Sequence, residues 1–299
     1  AYAASIGGIS TLIGTPPNMS LARILELNFP DMEELTFAGW FRFAFPLSLT
    51  FMLTAWFTLS KIARLSGINA SIDKNYFHQQ YQQLGKVTYE QRAIGGLFLL
   101  LIFGWMFRSE WSQLFPHPKY IDDGTVAIII AILLFLIPSK KNPGEKLMDW
   151  AAAKEIRWGI ILMFGGGFAL ATGFIESGLS ESLGEQLTSL QNVPLWMLIT
   201  IICTVITFLT ELTSNMATTE VVLPILAAMA KAIGVNPLVL MIPATLSASC
   251  AFMLPVATAP NAIAFGAGEI KIKDMIRYGF ILNIIGIVLI SAAAQLLYI

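Results

Sequence analysis

Two short strings of small and polar residues interrupt apolar runs near opposite ends of the chain. They are residues 14–18, with the sequence Gly-Thr-Pro-Pro-Asn, and residues 257–261, with the sequence Ala-Thr-Ala-Pro-Asn. Each run is long enough to cross a membrane, where lipid cannot replace the backbone hydrogen bonds that a break removes. Such breaks are tolerated where they line a cavity or are buried in protein. A matching pair therefore predicts an internally repeated transporter with its binding site at the breaks.

The residue types at these breaks suit the binding of small ions. Backbone carbonyls at the C-terminal end of a half-helix coordinate hard cations such as Na⁺, and amides at an N-terminal end receive anions with the help of the helix dipole. Gly14 and Thr15 supply such groups at the first break, and Ala257 and Thr258 supply them at the second. Since no lysine or arginine lies beside either break, we expect an anion to be held by neutral donors, helix ends and co-bound cations.

A third group of polar residues lies between two apolar arms, 195–210 and 217–232. Its hydroxyl and amide groups belong to Thr210, Thr213, Ser214 and Asn215. A lone threonine in a membrane helix usually bonds to the backbone, but polar groups that cluster at a duplicated break favour a binding site. Glu211 is the nearest ionisable residue, and two roles are open for it: a functional intramembrane carboxylate, or a brace for the hairpin through backbone amides.

The composition is that of a membrane protein. Of 299 residues, 56% are hydrophobic and 12% are charged, against roughly 25% charged in soluble domains. The apolar stretches of about 15 to 25 residues predict an all-α polytopic protein, and the ten-residue alternation of a β-barrel is absent from the sequence. A net charge of −1 gives no reason to expect nucleic acid. Cys203 and Cys250 lie in apolar runs and are expected in the core rather than in a disulfide.

The predicted spans follow the apolar runs. Span one is the broken segment 2–26, and the next four spans are 37–59, 93–107, 125–137 and 159–174. The last of these contains the glycine triplet 165–167, which favours close helix packing. The arms of a hairpin come next, followed by the second broken segment 237–266 and a last span, 275–297. Between the spans, Thr88 and Gln91 fit a capping box, and residues 179–193 fit a short amphipathic helix. Trp40, Trp158, Trp196 and Tyr298 fit an aromatic belt at the membrane interface.

Positive charges test this layout, because cytoplasmic loops are rich in lysine and arginine. The connections after spans two and four carry five each, whereas those after spans three and five carry two and none. A further basic cluster, 271–277, is cytoplasmic only if segment 195–232 returns to the side that it entered. Arms of about 16 residues measure around 24 Å, against a hydrocarbon core of about 30 Å. We therefore predict a re-entrant hairpin whose tip lies inside the membrane.

This layout makes the two breaks inverted copies, each of which needs its own hairpin. The visible tip, Ser214 and Asn215, precedes Thr258 by 43 residues, from 215 to 258. A matching tip for Thr15 would precede Ala1. We therefore expect the chain to be part of a longer protein whose missing portion holds the other hairpin, and we expect no transport by the 299 residues alone.

At these residues the chain resembles the divalent anion:sodium symporter family (DASS). This family includes the bacterial INDY-type dicarboxylate carriers and the mammalian carriers of solute carrier family 13 (SLC13). The resemblance rests on four stretches in the same order and at similar spacing along the whole chain: 5–18, 164–167, 210–215 and 254–262. It implies an elevator-type homodimer with inverted repeats, in which a transport domain carries the ions past a fixed scaffold domain.

The resemblance also implies a division into domains and a set of binding residues. Residues 1–66 and 195–299 would form the transport domain, 67–92 a cytoplasmic linker, and 93–194 the scaffold and dimerisation domain. One Na⁺ site would use Gly14 and Thr15 with the missing hairpin. The residues implied for the second Na⁺ site are Thr210, Thr213, Asn215 and Ala257. The residues implied to face the substrate are Ser214, Asn215, Thr258 and Thr15, with Met216 and Ala259 at two positions that depart from the family pattern.

The first hypothesis is therefore Na⁺-coupled symport of a di- or tricarboxylate across a bacterial inner or plasma membrane, with the C4-dicarboxylates succinate, malate and fumarate preferred. Within the same fold, the alternatives are a Na⁺-independent dicarboxylate exchanger and a sodium-coupled citrate or sulfate carrier. Met216 and Ala259 bear on that choice of anion. An intramembrane enzyme would need a nucleophile–base pair or a metal cluster, neither of which the sequence contains. A channel is also open as an alternative.

Overall fold

A computed structural model of the chain describes residues 1–65, 74–156, 158–179, 182, 186, 192–268 and 270–296. These residues form helices joined by turns and short loops. Within the described residues no β-strand occurs, and one isolated bridge joins Pro138 to Lys146. Most of the predicted amphipathic helix at 179–193, and Tyr298 of the predicted aromatic belt, lie outside the described residues.

The described helices include full-length spans and shorter segments. In the first half they are α1 Tyr2–Gly8, α2 Pro16–Asn28, α3 Phe37–Leu65, α4 Lys74–Gln83, α5 Tyr89–Met106, α6 Arg108–Trp111, α7 Asp123–Leu136 and α8 Trp150–Lys154. In the second half they are α9 Trp158–Glu176, α10 Leu195–Leu212, α11 Asn215–Ile233, α12 Pro237–Ala248, α13 Ala259–Gly266 and α14 Ile272–Leu296. Short 3₁₀ turns at Ser112–Leu114 and Pro118–Tyr120 follow α6.

Five of the described helices are long and apolar enough to cross a membrane: α3, α9, α10, α11 and α14. A sixth span results if α5 is joined to residues 108–114, from which it is bent by 70°. The shorter apolar helices α7 and α12 add 14 and 12 residues. The chain is thus a multi-span, all-α membrane protein, as its composition predicts.

Both predicted breaks are present. The first broken segment stops at the end of α1 and resumes at α2, and the second stops at the end of α12 and resumes at α13. The capping box at Thr88 and Gln91 is confirmed by hydrogen bonds in both directions, at 2.9 and 3.3 Å. Cys203 and Cys250 are free and buried, as expected for core residues.

The predicted length of the hairpin arms is wrong. Arms α10 and α11 contain 18 and 19 residues rather than about 16, because α10 continues through Glu211 and α11 starts at Asn215. They measure about 27 and 28 Å at 1.5 Å per residue, which is close to the thickness of a hydrocarbon core. Arm length therefore does not distinguish a re-entrant hairpin from two crossings.

The described chain divides into two compact units. Unit 1 comprises Ala1–Leu35, Gly39–Ile62 and Gly159–Ile299, and unit 2 comprises Thr36–Ala38 and Ala63–Trp158. This division describes which residues cluster in space and does not show which segments move. The assignment of segments to a moving and a fixed domain stays a prediction.

Unit 1 is built around α12, whose residues are all buried except Leu238. Helices α2, α10, α11 and α14 pack on its sides. Directly after α12, the Phe252 ring lies edge-on to the rings of Tyr2 and Phe51, at centroid distances of 5.6 and 5.7 Å. The second break therefore begins in the most enclosed part of this unit.

Unit 2 is organised by the bend at the end of α5. Arg108 contacts Asp123 at 2.8 Å, and the Trp105 indole donates to the Asp123 carbonyl at 2.9 Å. The Phe37 ring stacks on Trp105 at 4.9 Å. These contacts tie the end of α5 to the start of α7.

Candidate functional site

At the first break, α1 ends at Gly8 and α2 begins at Pro16. Thr15, the N-cap residue of α2, is extended, with φ −147° and ψ 142°. Proline is well suited to the first helical position because its missing N–H would have no partner there. The backbones of Gly8 and Gly14 approach so closely that a Cβ on Gly14 would overlap the Gly8 carbonyl oxygen. Glycine at position 14 therefore makes the tight turn possible.

Two donors on α3 satisfy carbonyl groups beside this break. The Trp40 indole donates to the Ile9 carbonyl at 3.0 Å, and the Ser48 hydroxyl donates to the Ile6 carbonyl at 2.7 Å. Trp40 is 1% exposed, so its predicted place in an interfacial belt is wrong. Its indole N–H serves an interior carbonyl rather than the membrane surface, and sequence pattern alone does not separate these two uses of tryptophan.

At the second break, α12 ends at Ala248 and α13 begins at Ala259. Thr258 has nearly the same backbone as Thr15, with φ −141° and ψ 152°, and its hydroxyl accepts from the Asn261 N–H at 3.3 Å. Thr15 and Thr258 thus hold equivalent N-cap positions, as the matching strings predict.

The asparagine that ends each string closes its own loop in the same way. Asn18 Nδ2 donates to the carbonyls of Thr11 and Gly8, at 2.9 and 3.4 Å. Asn261 Nδ2 donates to Leu254 and Ala251, at 3.1 and 2.9 Å. In both cases the acceptors lie seven and ten residues earlier. Both asparagines are 0% exposed, and among the described residues the Oδ1 atom of each has no hydrogen-bond partner.

These shared contacts show that the two breaks are built alike. Both asparagines belong to the repeated strings, but the strings alone do not indicate a role for them. The signal that could have found them is their identical position, three residues after the N-cap threonine in each string.

Glu211, near the end of α10, binds the backbone of the second break. One of its carboxylate oxygens accepts from the backbone N–H groups of Phe252 and Met253 at 2.7 and 2.8 Å, and the other accepts from Leu254 at 3.1 Å. Asn283 Nδ2 also donates to it, at 2.8 Å. Of the two roles left open by the sequence, these contacts favour the brace. They satisfy three consecutive amides that would otherwise lie unpaired in an apolar interior.

The bond from Asn283 also locates the hairpin tip along α14. Asn283 is the twelfth of the 25 residues in this helix, which is long enough to span a membrane. Glu211, at the end of the first hairpin arm, therefore lies level with the middle of a full-length span. This geometry, unlike the arm lengths, favours a hairpin tip at mid-membrane depth.

At the hairpin tip, three oxygen atoms come together. Thr210 Oγ1 lies 2.7 Å from Asn215 Oδ1 and 2.8 Å from the Ala248 carbonyl oxygen. A hydroxyl has one hydrogen, so it can donate to only one of these acceptors at a time. The side chain of Thr210 is fully buried. A side-chain carbonyl, a hydroxyl and a backbone carbonyl converging in a buried place are the kind of ligands that a hard cation takes.

The other predicted hairpin residues have separate local contacts. Ser214 caps α11 by accepting from the Ala217 N–H at 3.1 Å. Thr213 bonds to Thr218, at 2.5 Å, rather than to Thr210 or Asn215. Met216 is buried.

Residues 257–259, predicted for ion or substrate binding, lie along the second break. Ala257 and Thr258 are half-buried and Ala259 is exposed. Within the described residues, the carbonyl bonded to Thr210 is that of Ala248, and no hydrogen bond joins Ala257 to the hairpin.

With this geometry in place, comparison with known proteins identifies the family. A family model described as the sodium:sulfate symporter transmembrane region matches residues 1–298. The chain belongs to this sodium:sulfate symporter family. The breaks and hairpin described above are thus features of a sodium:sulfate symporter transmembrane region.

Curated relatives of this chain come from bacteria and mammals. It is 41% identical over 291 residues to the sodium-dependent dicarboxylate transporter SdcS of Staphylococcus saprophyticus, covering 97% of this chain and 56% of the relative. It is 42% identical over 328 residues to human solute carrier family 13 member 2, covering 98% and 55%. It is 40% identical over 324 residues to rat Na⁺/dicarboxylate cotransporter 3, covering 98% and 54%. The chain thus spans about half the length of these relatives.

Proposed function

We propose that the whole protein is a secondary active transporter that couples the uptake of a C4-dicarboxylate, such as succinate, malate or fumarate, to Na⁺. The observation that carries this proposal is the oxygen cluster beside a helix break, formed by the buried residues Thr210 and Ala248 and the half-buried Asn215. The names of the relatives, which include sodium-dependent dicarboxylate transporters, support the same ion and substrate class.

In this proposal the hairpin and the second break form one Na⁺ site. Thr210 Oγ1, Asn215 Oδ1 and the Ala248 carbonyl are its best-supported ligands. Thr213 and the carbonyl of Ala257 would join when the ion draws the half-buried segment inward. Gly14 and Thr15 would form the equivalent half of a second Na⁺ site at the first break.

The anion would bind at the ends of the half-helices. Thr15, Ser214 and Thr258 are the N-cap residues of α2, α11 and α13, so their three hydroxyls and the N–H groups of the non-proline residues in these first turns belong to the same breaks. Helix N-termini favour negative charge without a lysine or arginine. Asn215 would contact both Na⁺ and carboxylate, while Met216 and Ala259 would shape the site around the anion.

The mechanism proposed for the whole protein is that of an elevator-type homodimer. The transport domain would comprise 1–66 and 195–299, and the scaffold 93–194, joined by the linker 67–92. Inverted repeats are supported by the matched loop closures of the two breaks.

Uptake by the full protein in proteoliposomes tests this proposal. We expect an inward Na⁺ gradient to drive accumulation of labelled succinate, and unlabelled sulfate and citrate to compete poorly. Thr210→Val removes one oxygen from the cluster and should raise the Na⁺ concentration needed for half-maximal uptake by about tenfold, as expected for a loss of about 1.4 kcal/mol.

Thr200→Val is the matched control, because the Thr200 hydroxyl is exposed and bonds to the Trp196 carbonyl one turn earlier. Its Na⁺ dependence should equal that of the wild type. Uptake that persists without Na⁺, or that requires a counter-anion inside the vesicle, would instead identify an exchanger.

A further inference from the structure

Glu220 is a buried carboxylate that the proposed transport site does not use. It lies on α11, five residues after Asn215, and is 4% exposed. One of its oxygens accepts a hydrogen bond from the hydroxyl of Ser20 on α2, at 2.5 Å. Ser20 is itself 0% exposed. A carboxylate is therefore enclosed between two helices of the same compact unit.

The glycine triplet of α9, residues 165–167, also lies beside this carboxylate. A Cβ added at Gly167 would overlap the carboxylate of Glu220, whereas one added at Gly165 or Gly166 would meet no atom of the described residues within 4 Å. Gly167 and Ala171 are the buried residues of α9. The sequence predicts close helix packing at the triplet, and the close neighbour of Gly167 is this carboxylate rather than an apolar side chain.

The second oxygen of the carboxylate, Oε2, is buried and has no hydrogen-bond partner in the described structure. In the part of the chain that the structure describes, the neighbouring helices supply no counter-charge to this oxygen. On α2, Arg23 and Glu26 pair with each other at 2.7 Å in exposed positions. On α11, Lys231 lies over the Phe29 ring.

The remaining charged groups on helices packed around α11 are also engaged elsewhere or distant. Glu211 of α10 bonds to the second break, and Glu176 of α9 is exposed at the far end of its helix, nine residues from Gly167. Helix α12 contains no charged residue.

A bare carboxylate charge in such a place carries a large desolvation cost that one hydroxyl cannot offset. A hard cation would need several oxygen ligands, and the described side chains offer Glu220 and Ser20. A proton needs one oxygen, and Oε2 is available for it. We propose that Glu220 is a proton-binding site, filled while Gly167 of α9 lies against the carboxylate and vacated when the carboxylate reaches water.

The step is a simple protonation, in which the carboxylate takes one proton from a hydronium ion of the surrounding water and becomes a neutral carboxylic acid. One O–H bond of the hydronium ion breaks, leaving a water molecule, and one O–H bond forms at Oε2. Because Glu220 lies on a hairpin arm, movement of that arm away from α9 would release the proton. The proton would thus be a third ion that responds to the position of the hairpin, and this last consequence rests on the proposed transport function.

The binding of the proton itself can be measured without transport. We would follow thermal unfolding of the full protein in detergent between about pH 5 and about pH 9, for the wild type and for Glu220→Gln. If the folded state keeps the proton while the unfolded glutamate releases it, the folding equilibrium constant of the wild type, relative to that of the variant, falls about tenfold per pH unit above the unfolded pKa. The fall ends at the pH where the folded state also loses its proton.

Two further variants keep the test decisive. Glu176→Gln removes an exposed carboxylate and should retain the wild-type pH dependence. Ser20→Ala removes the donor but keeps the carboxylate, so its pH dependence should persist even if Glu220→Gln folds poorly.

An identical pH dependence in the wild type and Glu220→Gln would overturn the proposal. The proposal would also be overturned if Na⁺, added at constant ionic strength, restored the thermal stability of the wild type at alkaline pH. The site would then bind a metal cation. Uptake is measured separately. If proteoliposomes show no Na⁺-driven uptake, the proposed function is wrong, whereas the proton site is tested by the unfolding data alone.

Discussion

At the scale of single residues, the breaks are stabilised by a few side chains with very different reach. Asn18 and Asn261 act locally, on carbonyls seven and ten residues away. Glu211 acts on amides 41 to 43 residues away and receives a bond from Asn283. The repeated string indicates the local partners of the asparagines, whereas the distant partners of Glu211 depend on which helices pack together. The sequence therefore identifies Glu211 as a candidate without deciding its role.

Replacing Glu211 tests its role as a brace. Glu211→Gln keeps the size of the side chain but turns an N–H toward backbone amides that need an acceptor. Hydrogen bonds to a charged group contribute about 1.5–3 kcal/mol each, so we expect a loss of about 3 kcal/mol in stability and a lower thermal midpoint in detergent. Glu176→Gln, at an exposed position, should have no effect. A Glu211→Gln variant with wild-type stability and lost uptake would instead assign the carboxylate to transport.

At the scale of elements, proline and glycine predict where helices stop, and packing decides how far they continue. Pro16 and Pro260 mark the starts of α2 and α13 to within one residue. The ends of the hairpin arms are less predictable, because Glu211 is polar yet stays helical once its carboxylate finds partners in another segment. The glycine triplet predicts close packing, but its three members differ: only the neighbours in space single out Gly167.

The contact at Gly167 predicts a difference between adjacent glycines. Gly167→Ala places a methyl group against the Glu220 carboxylate and should destabilise the protein by about 1–3 kcal/mol, the usual cost of overpacking. Gly166→Ala, which meets nothing within 4 Å, should be neutral or slightly stabilising. Thermal unfolding in detergent measures both.

A double variant separates this contact from a general effect on α9. Combining Gly167→Ala with Glu220→Ala removes the group that the added methyl would overlap. The stability losses of the two single variants should therefore be clearly non-additive. Strict additivity would mean that the glycine is needed for some other reason.

At the scale of the whole molecule, each compact unit is held by its own interior contacts. Unit 1 surrounds the buried helix α12, and unit 2 is tied at Arg108 and Asp123. The all-α membrane fold follows from composition and span lengths alone. The orientation in the membrane rests on charge, since the loops after spans two and four are the basic ones.

Cysteine labelling in intact cells tests that orientation. Cys203 and Cys250 are buried, so they should give little background with a membrane-impermeant reagent. A cysteine at the exposed position of Asn142 should be protected until the cells are opened, whereas one at exposed His117 should react from outside. Labelling of both from the same side would contradict the predicted topology.

The range of the loop-closing bonds has a consequence for the order of folding. Each asparagine needs only the ten preceding residues, and a ten-residue loop closes in about 10–100 ns, so each break can take shape soon after its string is synthesised. The bonds from Glu211 wait for a segment made more than 40 residues later, and the bond from Asn283 waits longer still. We therefore expect the unwound loops to form early as local units and to be fixed in depth only when the last helix arrives.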